Sequence, residues 1–556
     1  MTNHFKRSVL ATVVLGLGLS AAAQQQAPNG WHLKDRQKDG LYGISLDKAY
    51  EFVKGRKSNT VVVAVIDSGI DTLHEDLKPI LWTNPKEIPG NGIDDDKNGY
   101  VDDVHGWNFI GGRDGRNVKE DSYEAARVYH RYKTRFANVK DASTLSKEDQ
   151  ELYAEWKRSE ESIAGNPEEM SNFLLLSKFY KSAAAADSLL RKELGKEQFK
   201  ATEVEAYAPT TDQMKKAKSS FLILYQGLNI ELDRTNTEVL GEVGDYVSGQ
   251  ERKFQAAEKA PRDYRAEIVK DNEADINDRF YGNNDVMANT PFHGTHVSGI
   301  IAASRKNGKG IDGIADNVRI MTIRAVPDGD EHDKDVALAI RYAVDNGAKI
   351  INMSFGKGFS PEKHWVDDAV KYAESKGVLL VHAAGNDGSN LDSTNNFPNP
   401  TYKTEGRKAS NWLTVGASGD PKNGGLVAGF SNFGKNEVDV FAPGHQIYST
   451  IPGGTTYGNA SGTSMASPVV SGVAAFLLSY FPDLTPQQLK QVIEKSAVAP
   501  SISVNNPSSG ASVKLSDISR TGGVVNAYEA AKLAATLSAK PQPVKTKSTV
   551  KKPKKG

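Results

Sequence analysis

Three short motifs bring together residue types that can act as a unit. Asp67-Ser68-Gly69 ends the apolar run Val61–Ile66, and His293-Gly294-Thr295-His296-Val297-Ser298-Gly299 opens a stretch of small and apolar residues. Gly462-Thr463-Ser464-Met465-Ala466-Ser467-Pro468 leads into the apolar segment Val469–Tyr480. Taken singly, each has an ordinary explanation: a turn after a strand, a closely packed helix start, a capping serine. Taken together they supply a carboxylate, an imidazole and a hydroxyl. A serine hydroxyl is a weak nucleophile until an imidazole takes its proton, and that imidazole needs a carboxylate to fix its tautomer and stabilise the imidazolium. Ser464 opens an apolar helix, where first-turn N–H groups are free to stabilise developing negative charge. His293 and His296 have a spacing that also suits a metal, but H-E-x-x-H, which carries its own general base, is absent. The chain order Asp67, His293, Ser464 excludes the α/β-hydrolase arrangement, in which the serine comes first within G-x-S-x-G.

The elements that must position these residues follow from local pattern. Val61–Ile66 is short, β-branched and without alternation, as expected of a strand covered on both faces. Val318–Ala325, Lys349–Met353, Val378–Ala383 and Trp412–Val415 read as further strands, with helical patterns over Asp335–Asn346 and Val366–Ser375 between them. Gly347 and Gly377 stand where such helices close. This alternation predicts an α/β fold, a parallel sheet with helices on both faces. Functional crevices in such sheets lie at the carboxyl ends of strands, which is where Asp67 falls.

The rhythm breaks between residues 115 and 285, a charged, glycine-poor stretch read as an inserted helical domain. Tyr129, Tyr132 and Phe136 share one helical face, Ser146 and Asp149 resemble a capping box, and Phe173–Tyr180 and Phe221–Tyr225 read as buried helical turns. The sheet domain is thereby split into 59–114 and 286–538. Before it come a targeting signal (1–23) and a lead-in (24–58); after it comes a Lys-rich tail (539–556) too polar to fold alone. The signal has Lys6 and Arg7, an apolar run from Val9 to Leu19, and small residues Ala21 and Ala23 ahead of a cut before Gln24. That run falls short of the ~20 residues a bilayer span needs. The expectation is an exported protein, periplasmic or secreted, with no membrane span after signal cleavage. With 69 basic and 69 acidic residues, no global charge attracts nucleic acid, and none is expected as a partner. The absence of cysteine excludes disulfides, thiolate catalysis and Cys-ligated zinc.

The stretches Val-Ala-Val-Ile-Asp67-Ser-Gly-Ile-Asp, His293-Gly-Thr-His-Val-Ser-Gly and Gly-Thr-Ser464-Met-Ala-Ser-Pro resemble the three catalytic blocks of the subtilisin-like serine peptidases. The similarity covers about residues 59–114 and 286–498. It implies that Asp67 orients His293, that His293 is general base and then acid, and that Ser464 attacks a scissile carbonyl. Ala383-Ala384-Gly385-Asn386 resembles the block whose Asn side chain helps form the oxyanion hole, with Gly385 beside it on the substrate side. Asn352-Met353-Ser354-Phe355-Gly356 resembles the segment that pairs with an extended peptide and walls its specificity pocket, so Ser354, Phe355 and Gly356 are implied to touch substrate; Phe355 equally suits a core position. Protein or peptide substrates and an acyl-enzyme endopeptidase follow from the resemblance. The alternative is a peptide-binding or maturation module of negligible turnover, gated by the insertion. Asp67 and His293 are 226 residues apart, against a few dozen in most of the family. The insertion is therefore expected to leave the fold near the rim of the site, where it would act as a lid, an exosite or a dock for a partner, the alternative being inert decoration. The short lead-in leaves little room for the folded prodomain of many secreted relatives.

No cofactor is required for this chemistry; a structural calcium ion is the one expected. Asp94-Asp95-Asp96-Lys97-Asn98-Gly99 has the D-x-D-x-N-G opening of an EF-hand-type loop, in which Asp94, Asp96 and Asn98 offer hard oxygens and Gly99 the sharp turn. Position twelve is His105 instead of Glu, so Asp102 or Asp103 is left to complete the shell. Asp76 matches a second calcium ligand of the family, but the loop that would complete that site reads Arg305-Lys306-Asn307-Gly308, with two cations.

Overall fold

The computed structural model describes residues 27–538, apart from 166, 229, 231, 423 and 424. The signal and the Lys-rich tail lie outside the described residues. Seven strands, β1 (Val61–Asp67), β2 (Gly106–Asn108), β3 (Val318–Arg324), β4 (Ile350–Met353), β5 (Leu379–Ala383), β6 (Trp412–Ser418) and β7 (Val440–Pro443), form one parallel sheet in the order β2-β3-β1-β4-β5-β6-β7. A hairpin, β8 (Ile447–Ile451) with β9 (Thr456–Ala460), follows. The longer helices are α1 (Leu46–Phe52), α2 (Glu124–Phe136), α3 (Lys147–Ala164), α4 (Pro167–Leu194), α5 (Asp212–Gly227), α6 (Asn236–Gln255), α7 (Phe292–Ala302), α8 (Asp333–Asp345), α9 (Lys363–Lys376), α10 (Thr463–Tyr480), α11 (Pro486–Ser496) and α12 (Ala527–Ser538).

Helices cover both faces of the sheet. Val61, Val63 and Val65 of β1 pack with α1, α7, α10, α11 and α12, whereas Ala64 and Ile66 pack with α8 and α9. Successive side chains of a strand point to opposite faces, so a strand buried on both sides has no reason to alternate. α10 is the one helix among the described residues long and apolar enough to cross a bilayer; 89% of that window is buried, and its apolar length serves the core. The lead-in belongs to the folded unit, with Trp31, Ile44, Leu46, Ala49 and Val53 in the same core as α7 and α10. β2, β7 and the hairpin have no counterpart among the strands expected from sequence: two are too short to carry a period, and β9 is largely uncovered.

The helical block runs from Glu124 to Gln255. α4, α5 and α6 enclose a core of their own around Leu190, Phe221, Leu224, Tyr225, Val239 and Val243. α2 and α3 form a second cluster with Tyr129, Phe136, Trp156 and Ile163, and Phe359 of the sheet domain is part of it. Ser146 caps α3, its side chain accepting from Asp149 N. The flanking stems pack on the sheet itself: Val118, Val269 and Tyr281 lie in the core shared with α8 and α9.

Candidate active site

Asp67 is the last residue of β1, opposite Arg324 of β3, and is 1% exposed. Its Oδ1 accepts from Ser68 N at 2.8 Å and meets His293 Nδ1 at 2.8 Å. A carboxylate only accepts, so Nδ1 carries the ring proton and Nε2 is left as the basic nitrogen. Asp67 Oδ2 is buried without a hydrogen-bond partner, so the imidazole and the Ser68 N–H, both on Oδ1, are the groups that share this charge. His293 is the second residue of α7, which approaches the strand end closely: a Cβ on Gly294 would lie 2.2 Å from the Gly69 carbonyl oxygen. His296 faces elsewhere. Its Nε2 bonds the Gly458 carbonyl at 3.1 Å and burial pushes its pKa down to about 4, so the two histidines do not form a metal pair.

Ser464 lies in the first turn of α10, and the register of Ile66 with Met353 brings the neighbouring Ser354 beside Asp67 at the strand ends. Ser464 Oγ donates to the Ser354 carbonyl at 2.9 Å, and Ser354 Oγ donates back to the Ser464 carbonyl at 3.0 Å. Asn352 stitches β4 to α10: its Nδ2 donates to Ser354 Oγ, and its Oδ1 accepts from Ser467 and Ser471. Among the described residues His293 has no hydrogen bond to Ser464, whose hydroxyl is engaged by the Ser354 carbonyl. Such bonds are commonly loose before substrate is bound.

Asn386 Oδ1 accepts from Thr463 N at 2.8 Å and Thr463 Oγ1 at 2.9 Å. With the oxygen so fixed, Nδ2 stays a free donor beside Gly462, at the same helix end as the Ser464 N–H. Two donors at one site suit a carbonyl oxygen that gains charge. Gly385 has φ +98°, and a Cβ there would meet Asn432 Nδ2 at 2.5 Å, so only glycine makes this turn; its N–H is held by Thr463 Oγ1. Phe355 is half-buried against the sheet core, and its carbonyl accepts from His382 Nε2 at 2.8 Å. Gly356 N–H and C=O have no partner among the described residues.

Sequence reasoning assigned no role of their own to Arg324, Asn352 and Asn432. Arg324 is fully buried; burial lowers its pKa to about 10, which leaves it charged. Nε donates to the Ser68 carbonyl, while Nη2 donates to Val118 O, Asn289 Oδ1 and Thr290 Oγ1. One side chain thus ties the turn after Asp67 to the loop before His293. Such partners come from distant segments and leave no local pattern.

The acidic loop after Ile93 differs from its sequence reading. Asp94 and Asp96 converge with Glu87, their ligand oxygens within 4.8 Å of one another. Asp102 does not join them: its carboxylate accepts from the N–H groups of Gly90, Asn91 and Gly92. Asn98 Oδ1 accepts from Tyr100 N and its Nδ2 donates to Asp103. The hard-oxygen donors and the partnerless buried Glu87 Oε2 fit a divalent cation. The second family site does not fit one: Asp76 is met by Asn307 and Tyr457, and Lys309 pairs with Glu75.

A parallel sheet with a carboxylate–imidazole pair and a helix-start serine at its strand ends defines the class of serine hydrolases with Asp-His-Ser order. The Subtilase family matches over residues 58–528, and the chain belongs to that family. It is 42% identical over 206 residues to the thermophilic serine proteinase of Bacillus sp. (strain AK1), aligning with 37% of this chain and 46% of that one. It is 39% identical over 208 residues to subtilisin DY of Bacillus licheniformis, covering 37% of this chain and 70% of that protein. With thermitase of Thermoactinomyces vulgaris it shares 40% identity over 202 residues, 36% of this chain and 66% of thermitase. The chain thus spans about half the length of the Bacillus AK1 relative.

Proposed function

We propose that the protein is an exported serine endopeptidase that works through an acyl-enzyme. Ser464 attacks the scissile carbonyl as His293 Nε2 takes its proton. His293 then protonates the leaving amine, and Asp67 holds the imidazole and balances its charge. Asn386 Nδ2 and the Ser464 N–H stabilise the oxyanion. An extended polypeptide pairs along Ser354–Gly356, using the open Gly356 backbone groups. The observation that carries the reading is the 2.8 Å bond between Asp67 and His293 at the strand ends that also hold Ser464. The test is labelling with a fluorophosphonate probe: the wild type labels and Ser464→Ala does not. The peptide-binding alternative draws on one observation, the Ser464 hydroxyl bound to Ser354 instead of His293. Absence of labelling in folded wild-type protein would favour it.

Export rests on the signal-like first 23 residues; an N-terminus at Gln24 in the exported fraction is the check. Calcium at Glu87, Asp94 and Asp96 would act by binding the native state alone, as a stabiliser.

A further inference from the structure

The insertion is fastened to the sheet domain through buried charges that meet one residue beyond the substrate-side segment. Lys357 is 4% exposed. Its Nζ donates to Glu124 Oε2 at 2.8 Å and to the Glu331 carbonyl at 2.7 Å, and lies 2.9 Å from Asp333 Oδ1. Glu124 is the first residue of α2; its carboxylate also accepts from Arg127, and its N–H donates to Asp330 Oδ2 at 2.8 Å. A second attachment lies next door. Arg158 of α3 donates to the Gly358 carbonyl at 2.8 Å and covers the Phe359 ring at 4.0 Å, and Phe359 is buried against α2 and α3. The insertion's entry stem also pairs by backbone with the loop after β3, Asp121 N to Asp328 O at 2.9 Å and Asp328 N to Lys119 O at 2.8 Å.

The segment Ser354–Gly356 is therefore held at both ends. At one end Ser354 exchanges two hydrogen bonds with Ser464; at the other, Lys357 and Gly358 are gripped by α2 and α3. Between the grips lies Gly356 with its open backbone groups. An apolar contact would fasten the insertion as strongly, but apolar surfaces slide, whereas an ammonium shared among three oxygens has one geometry. Buried ion pairs are best attested as devices that fix register, not as sources of stability.

We propose that the Glu124–Lys357–Asp333 cluster is a positioning device by which the helical insertion sets the register of segment 354–356, and so tunes the pairing of extended polypeptides without touching the bond chemistry. The inference rests on the peptidase reading. Two substrates separate the contributions: succinyl-Ala-Ala-Pro-Phe p-nitroanilide, which lies along the segment, and p-nitrophenyl acetate, which acylates the serine without it. For Glu124→Gln, which keeps shape and removes charge, KM for the anilide is expected to rise about tenfold, with acetate turnover within about twofold of wild type. Arg158→Ala, on the outer side of the same grip, should shift KM in the same direction and keeps the test open if Glu124→Gln does not fold. Glu124→Asp should restore part of the loss. Equal losses on both substrates, or no change on either, overturns the inference. A wild type that turns over neither substrate and takes no fluorophosphonate refutes the peptidase reading itself, and this inference with it.

Discussion

Gly294→Ala tests whether the approach of α7 to the end of β1 sets the Asp67–His293 bond. The Cβ would start 2.2 Å from the Gly69 carbonyl oxygen and 3.2 Å from both Cβ and Oδ1 of Asp67. All three atoms belong to residues at or just after the end of β1, and the nearest is backbone, so no side-chain rotation gives relief. Real Cβ atoms keep at least 3.0 Å, so helix and turn must separate by about 0.8 Å. If α7 moves as a body, the 2.8 Å contact between His293 Nδ1 and Asp67 Oδ1 opens to about 3.6 Å, beyond hydrogen-bond length. A displacement near 1 Å costs about 10²-fold in rate, and full loss of the orienting carboxylate about 10⁴-fold. Overpacking should also cost about 1–3 kcal/mol of stability. The assay is the rate of fluorophosphonate labelling beside a thermal melt: labelling should slow at least 10²-fold in protein that remains folded at the assay temperature. Wild-type labelling rates in Gly294→Ala would refute the argument that this contact holds the imidazole.

Three further outcomes are expected. Asn386→Ala should lower kcat by about 10²–10³, the range known for the corresponding donor of subtilisin, with KM little changed; a drop below about threefold would exclude it from the oxyanion site. His332 is lowered by burial and by Arg127, but bonds to Asp121 and Glu273 outweigh both and raise it to about 9. The folded state then holds this proton more tightly than the unfolded chain, so the stabilisation is complete below about pH 6.5 and disappears as pH rises through about 9. Glu331, pushed up to about 8 by burial, titrates in the same window. The measurement is therefore denaturant unfolding from pH 6.5 to 9.5 of wild type against His332→Gln, with an excess loss on the order of 3 kcal/mol in the wild type; parallel slopes would contradict it. Chelation should lower the unfolding free energy of the wild type by about 2.7 kcal/mol if calcium stood at a hundred times its dissociation constant, seen as a lower melting temperature, and leave Asp94→Ala unmoved.

Much of the sheet was legible because strands buried on both faces are short and mostly apolar: Val61–Ile66 is an unbroken β-branched and small run, Val378–Ala383 is apolar but for His382, and Val318–Ala325 is apolar but for Arg319, Thr322 and Arg324. Asp67, His293 and Ser464 stood out for a similar reason: each needs small neighbours in sequence, glycines above all, to reach its place. Tertiary structure alone decided which distant groups complete them. Glu87, not Asp102, joins Asp94 and Asp96, because Asp102 is drawn to the backbone amides of 90–92. Ser464 rests on Ser354, Arg324 clamps the turn after Asp67 to the loop before His293, and Lys357 meets Glu124 across 233 residues. A buried charge or hydroxyl takes whichever partner the fold brings within 3 Å, and that choice is made by packing between segments that carry no mark of one another.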